Sequence, residues 1–393
     1  MSHIRLIKNE YIGAKTGISE FSEAQATKTR RFHESIPGYE LTPLVALPAL
    51  ADRLGVCGIF IKDESKRFNL NAFKVLGGSY AIGNLISAKL GEDISNLPFE
   101  QMTSDKVRRK LGDITFITAT DGNHGRGIAW TADRLGQHSI VYMPKGTAKE
   151  RLDNIRALGA AADITNLTYD EAVRKAGKDA EENGWILVQD TSLPGYEEIP
   201  KLIMQGYLTM ISEAIEQLGP VIPTHVFLQA GVGSMAAAAT AFLAGYYGRN
   251  KPVITVVEPH SADCVFRTAE ANDGFLHAVD GEMSTMMAGL ACGEPCRPAW
   301  EILQSYADFF GTMDDCAAAE AMRVLACPPK EDTGVVSGES GAAGLGFALE
   351  ILQSEEHAKE REMLRLNENA VILCFSTEGA TDVTNYNKVV FDK

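Results

Sequence analysis

The sequence predicts an α/β fold with doubly wound, mostly parallel sheets, and two patterns carry that prediction. Short continuous Val/Ile/Leu/Phe runs recur along the chain, the mark of strands covered on both faces. Amphipathic stretches separate them, so strand–helix–strand units with right-handed crossovers repeat. The strand runs fall at 57–62, 114–119, 139–143, 161–165, 185–189, 225–229, 253–257, 309–313 and 370–375. Helical spacing appears at 125–135, where Ile128, Ala129 and Ala132 share a side, and at 148–158 through Leu152, Ile155 and Leu158. It returns at 169–182 and 201–218. The first ~55 residues contain Pro37, Gly38, Pro43 and Pro48 and read as an irregular wrapping arm. Segments 91–113 and 328–338 read as loops.

A chain of 393 residues suits two lobes or one large α/β body. Its 37 Lys and Arg against 52 Asp and Glu leave a formal charge of −15, which repels nucleic acid and anionic membranes. Hydrophobic residues at 45% and charged residues at 23% exclude global disorder. No stretch reaches the ~18 apolar residues of a membrane span, and the N-terminal residues lack a signal-peptide pattern. Seven cysteines are an odd and sparse set, so a cytoplasmic chain with reduced thiols is expected. Cys292 and Cys296 form the one close pair, with Cys264 upstream. No second Cys/His cluster completes a zinc site, and no metal is expected.

Four segments carry chemistry. In Arg67-Phe-Asn-Leu-Asn-Ala-Phe-Lys-Val-Leu-Gly-Gly-Ser-Tyr80, Lys74 sits among Phe73, Val75 and Leu76 in the first turn of a helix. Burial and the helix N-terminus both favour a neutral, nucleophilic amine there. The plainer alternative is a surface lysine whose stem covers apolar neighbours. Thr118-Ala-Thr-Asp-Gly-Asn-His-Gly-Arg-Gly-Ile-Ala129 ends a strand and opens a helix, where open sheets hold anionic ligands. Thr120 and Asn123 add polar side chains, although Asp121 could merely cap the helix. Gly231, Val232, Gly233 and Ser234 join a strand to an Ala-rich helix and form a phosphate cup. The same Gly231–Ala236 run, with Glu258 ending the next strand, also fits a dinucleotide fingerprint and an NAD-dependent oxidoreductase. Val371-Ile-Leu-Cys-Phe-Ser-Thr-Glu-Gly-Ala-Thr-Asp382 ends in Ser376 and Thr377, hydroxyls able to bond a ring nitrogen or to form a turn.

Together, in this order and spacing over about residues 60–382, the four segments resemble fold-type II pyridoxal-phosphate enzymes of the tryptophan-synthase β type. Phe68-Asn-Leu-Asn-Ala-Phe-Lys74, Ala119-Thr-Asp-Gly-Asn-His-Gly125 and the run from Cys374 resemble the diaminopropionate ammonia-lyase family. The resemblance implies a two-lobed body, with residues 1–80 and 196–393 forming a large cofactor-binding domain and 81–195 a small mobile one. It implies pyridoxal 5'-phosphate bound covalently to Lys74, with Phe73 against the ring and Asn123 on its hydroxyl. Gly231, Val232, Gly233 and Ser234 would hold the phosphate, and Ser376 or Thr377 would face the pyridine nitrogen. Thr120 would receive the substrate carboxylate. The implied reaction takes D- and L-2,3-diaminopropionate to pyruvate and two ammonia, in a homodimer. A serine or threonine dehydratase is the alternative.

Asp121 stands where dehydratases of this type commonly carry a small uncharged residue. A carboxylate there could attract the second amine of the substrate and exchange protons with it. The expectation is that Asp121 takes the α-proton of the D isomer and Lys74 that of the L isomer. Asp190, which ends the 185–189 strand, enters the same cleft to pair with a substrate amine or caps a turn. His124 is expected to stabilise its loop.

Overall fold

A computed structural model describes residues 3–329 and 331–392. Among these, eleven strands form two sheets. In chain order they are β1 (Ile4–Lys8), β2 (Leu44–Ala46), β3 (Gly58–Asp63), β4 (Thr115–Ala119), β5 (His138–Met143), β6 (Ala161–Ile164), β7 (Ile186–Leu187), β8 (His225–Gln229), β9 (Val253–Pro259), β10 (Phe309–Met313) and β11 (Val371–Ser376). The larger sheet runs β1-β10-β9-β8-β11-β3-β2 and the smaller β6-β5-β4-β7. All pairs are parallel except the two edges, where β1 lies antiparallel to β10 and β2 to β3. Every residue of β8 and β10 is buried, so both faces of the large sheet are covered, as the continuous apolar runs require.

The first segment is more regular than its prolines suggested. It contains β1, β2 and the helices Glu23–Glu34 and Pro48–Leu54, with Pro48 at the start of a helix, where a missing N–H costs nothing. The loop expected over 91–113 carries the short helices Phe99–Met102 and Asp105–Leu111. The helix expected over 201–218 is divided at Tyr207 into Glu198–Gly206 and Leu208–Leu218. Pairing in β7 covers only Ile186–Leu187, because the chain then turns toward the cleft.

Lys74–Leu90 is one unbroken helix, and a domain division at residue 80 would cut it. Its continuous hydrogen-bond ladder leaves no hinge there. It packs against the helices Asn123–Arg134 and Glu198–Gly206. A Cβ on Gly127 would lie 2.8 Å from Val75 Cα, so the first two helices approach backbone to backbone. That contact couples the position of Lys74 to that of Asn123.

Candidate active site

Open parallel sheets hold ligands beyond the carboxyl ends of their strands, and here the ends of β4, β8 and β11 line one cavity. Phe73, Lys74, Thr120, Asp121, Asn123, His124, Asp190, Gly231, Val232, Gly233, Ser234 and Thr377 all line it. Segments distant in sequence thus meet in one place.

Lys74 is the first residue of its helix, delivered by a turn in which Phe68, Asn69 and Asn71 have φ of 48°, 58° and 59°. These left-handed conformations cost about 1–2 kcal/mol per residue for side chains with a Cβ and persist only where the surroundings over-determine them. The Lys74 ammonium donates to Asp190 Oδ2. Burial opposes the charge, yet the Asp190 carboxylate holds the Lys74 amine above its ordinary range. The neutral amine expected from burial and the helix dipole is therefore corrected by a partner that sequence did not pair with it. Burial likewise works against Asp190, and the Lys74 ammonium pulls its carboxyl below the usual range. Tyr169 donates to the other Asp190 oxygen at 3.2 Å. His124 pairs through Nε2 with the Val188 carbonyl at 2.8 Å, and burial lowers its pKa, so the ring is neutral.

At the end of β4 the Thr120 hydroxyl accepts the Gly122 N–H at 2.9 Å. Asp121 Oδ2 lies 3.4 Å from Arg151 Nη1. Burial raises the Asp121 carboxyl above its ordinary value, against the pull of Arg151 and Lys74. Asn123 donates its side-chain amide to Glu378 Oε2, and Glu378 Oε1 accepts the Ser340 N–H at 3.0 Å. Sequence reasoning missed both Arg151 and Glu378. Glu378 stood inside a quoted segment, directly after Thr377, whereas Arg151 had no local signal.

Beyond β8, Gly231 to Ser234 open the helix Ser234–Tyr247. A Cβ on Gly231 would lie 3.0 Å from Cys292 Sγ and 3.2 Å from the Gly289 carbonyl, so only glycine leaves this wall open. Ser234 Oγ donates to the Asp190 carbonyl at 2.7 Å and ties the cup to the strand end that bears Asp190. Thr377 Oγ1 accepts from Gln229 Nε2 at 3.0 Å. Ser376 does not line the cavity, since alternation along the strand turns it toward Ser337 Oγ at 2.8 Å. Phe73 packs on Tyr207 with ring centroids 4.7 Å apart.

Glu258 does not serve a nucleotide. Its buried carboxyl group, which burial pushes well above the ordinary range, accepts the N–H groups of Val265 and Phe266 at 3.0 and 2.6 Å and so caps the helix Cys264–Ala271. Cys292 lines the cavity, Cys264 and Cys296 are buried, and all seven cysteines are free. Among the described residues no group of three or more His, Cys, Asp or Glu is arranged to hold a metal ion, and no helix is long and apolar enough to cross a membrane.

Residues 36–372 match the pyridoxal-phosphate dependent enzyme family. Diaminopropionate ammonia-lyase of Salmonella typhimurium is 48% identical over 365 residues, 92% of this chain and 90% of that protein. The structure of the Escherichia coli diaminopropionate ammonia lyase in complex with an aminoacrylate-PLP azomethine reaction intermediate superposes with a TM-score of 0.91 at 44% identity, covering 100% of this chain and 98% of that one. The same Escherichia coli enzyme in complex with D-serine gives 0.92 at 45%, covering 100% and 97%. With a cavity built from a lysine, a glycine cup and a strand-end hydroxyl, and with identity sustained over almost the whole length, this chain belongs to the pyridoxal-phosphate-dependent enzymes and, among them, to the diaminopropionate ammonia-lyase family.

Proposed function

We propose that the protein eliminates ammonia from D- and L-2,3-diaminopropionate, so that the diamine plus water yields pyruvate and two ammonia. One observation carries the reading: two proton-active groups, the Lys74 amine and the Asp121 carboxylate, line a single cavity, one beyond each sheet. The residues present fit the cofactor. Gly231 to Ser234 line the cavity at the start of a helix, a Cβ on Gly231 would crowd Cys292 and Gly289, and the Lys74 amine faces the same space. Pyridoxal phosphate, when bound, supplies a conjugated sink for the electron pair left at the substrate α-carbon.

The chain's own groups divide the rest of the work. Lys74 would hold the cofactor through its amine and, as the neutral amine, would accept the α-proton of the L isomer at Nζ. Asp121 accepts that of the D isomer. Asp190 keeps Lys74 Nζ oriented and accepts from a cationic amine. Gly231, Val232, Gly233 and Ser234 receive the phosphate at the helix start, where free N–H groups favour an anion. Asn123 would bond the ring hydroxyl, Phe73 would pack against the ring and Thr377 would face the pyridine nitrogen. Thr120 and its neighbouring backbone receive the substrate carboxylate. A neutral hydroxyl at the ring nitrogen does not enforce its protonation, which suits elimination. The smaller lobe, built on β4 to β7 and hinged beyond the Lys74–Leu90 helix, closes to limit water. The same reading has a homodimer in the cytoplasm, and the odd, sparse set of seven cysteines supports a reducing compartment.

The test is product analysis with both isomers of diaminopropionate and with serine. Two ammonia per pyruvate are expected, with kcat/KM higher for the diamine, and borohydride should fix cofactor mass on the peptide bearing Lys74. Faster turnover of serine, or an unmodified Lys74 in fully loaded protein, would overturn the reading. A second expectation concerns the cup: Gly231→Ala should weaken cofactor binding about tenfold in an absorbance titration of the apoenzyme, because the new methyl crowds Cys292 and Gly289. Unchanged affinity would remove Gly231 from the phosphate site.

A further inference from the structure

Glu378 lines the cavity with Asp121 and Asn123, is 2% exposed, and has no task in the reaction described so far. Its backbone belongs to the segment that holds the lysine turn. The Thr377 carbonyl accepts the Phe73 N–H at 3.0 Å, the Asn71 carbonyl accepts the Gly379 N–H at 2.9 Å, and Glu378 itself forms an antiparallel bridge with Ala72. On its other side, a Cβ on Gly338 would lie 3.0 Å from Glu378 Cγ and a Cβ on Gly341 2.8 Å from the Glu378 carbonyl, so close-packed backbone confines the residue. The two carboxylate oxygens then serve different elements. Oε1 accepts the Ser340 N–H at 3.0 Å, in the first turn of the helix Glu339–Gln353. Oε2 accepts from Asn123 Nδ2, with Thr381 Oγ1 3.5 Å away. Asn123 makes no other side-chain hydrogen bond among the described residues, so the rest of its amide is left for the cavity.

An asparagine amide can turn end for end with little change of shape, and its partners decide which end is which. A carboxylate has no hydrogen to give, so Glu378 holds the nitrogen end of Asn123 toward itself. We infer that Glu378 is a positioning residue for the cofactor's ring hydroxyl: it fixes the Asn123 amide so that the remaining N–H donates to the ring oxygen. The inference rests on the assignment of Asn123 to that oxygen made above. A donor held there favours the ionised oxygen over the neutral hydroxyl and so tunes the ring as an electron sink. Because Glu378 is also bridged to Ala72, two residues before Lys74, it keeps the amide and the lysine in one register. Acting directly through its charge, the carboxylate would oppose ionisation of the ring oxygen, the reverse of the effect of an oriented N–H. The two modes of action therefore have opposite signs.

The test reads the absorption spectrum of the holoenzyme without substrate, in which ionised and neutral ring oxygens absorb at different wavelengths. Wild type, Asn123→Ala, Glu378→Gln and the double variant are compared at one pH. Glutamine retains an oxygen for the Ser340 N–H, whose direction the helix backbone fixes, and turns an N–H toward Asn123. The freer Asn123 amide must then swing away or reverse. In Glu378→Gln the ratio of ionised to neutral form should fall about threefold to tenfold, the worth of one hydrogen bond, and kcat on both isomers should fall with it. In the double variant Glu378→Gln should add nothing to the change made by Asn123→Ala. A raised ratio in Glu378→Gln overturns the inference, and so does an equal further change on the Asn123→Ala background, for Glu378 would then act by charge or by general support of the fold. A wild-type spectrum in Asn123→Ala removes Asn123 from the ring hydroxyl and takes the inference with it. A spectrum moved by Asn123→Ala but not by Glu378→Gln sinks the inference alone.

Discussion

Asp121→Asn is expected to lower kcat for D-diaminopropionate by about 10²–10⁴-fold, the range for one positioned general base, while the L isomer stays within about threefold of wild type. The asymmetry follows from two bases serving two isomers. Asparagine keeps the shape and the Arg151 contact but cannot accept a proton. The variant does not strand the arginine, because Glu378, Glu339 and Asp382 also act on the Arg151 charge. A pH profile gives a second readout. Burial raises the Asp121 carboxyl above 3.8, with Arg151 and Lys74 only partly offsetting it. A base must be ionised to work, so D-isomer kcat/KM should fall on acidification at a higher pH than an ordinary carboxylate would dictate. The L isomer should not share that limb. Equal losses on both isomers, or wild-type turnover of the D isomer, would remove Asp121 from the proposed role.

Glu213→Gln is expected to destabilise the holoenzyme by about 3–5 kcal/mol, the cost of leaving a buried charge without its partner. Glu213 lies in a fully buried cluster with Lys62, Glu64 and Arg67. Arg67 forks onto both carboxylates, through Nε and Nη2 to Glu64 at 2.9 and 2.8 Å and through Nη1 and Nη2 to Glu213 at 3.1 and 2.6 Å. Lys62 adds bonds to Glu213, to the Thr42 carbonyl and to Gln217, and Tyr39 donates to Glu213 at 2.6 Å. Two cations balance two carboxylates. Neutralising Glu213 leaves an excess cation beside the turn that delivers Lys74 and beneath the N-terminal arm that supplies Thr42. Burial opposes ionisation of Glu213, but Arg67 and Lys62 prevail and hold its carboxyl below the ordinary 4.5. A depressed folded-state pKa means that this stabilisation is full above the unfolded value and is lost as pH falls through the folded one. Urea denaturation of both proteins at neutral pH tests the expectation, and a difference under about 1 kcal/mol would show that the cluster absorbs the lost charge.

Much of the cavity was legible because its chemistry is local. Strand runs ending in Gly, Thr, Asn and Ser announce ligand-bearing turns, and the lysine motif lies a short distance after β3. Strands 225–229 and 309–313 fall where the apolar runs put them, since burial on both faces leaves no other use for such runs. What sequence missed are partners brought together across the cleft. Glu378 reaches Asn123 and Arg151 reaches Asp121 from elements far away in the chain. Ser376 and Thr377 are adjacent and chemically alike, and only the pleat decides that Thr377 meets the cavity while Ser376 meets Ser337.

The sequence alone therefore determined the layered α/β architecture and its glycine- and hydroxyl-bearing strand ends, because periodicity and turn chemistry are written in neighbouring residues, while the task of the lysine and the class of cofactor came from the resemblance to a known family. Tertiary structure decided that Asp190 partners Lys74, that Glu258 caps a helix and that Arg151 is the counter-ion of Asp121. Each of these depends on which charged group folding places within a few ångströms in a dry interior, where electrostatic effects are strong and unrelated to distance along the chain.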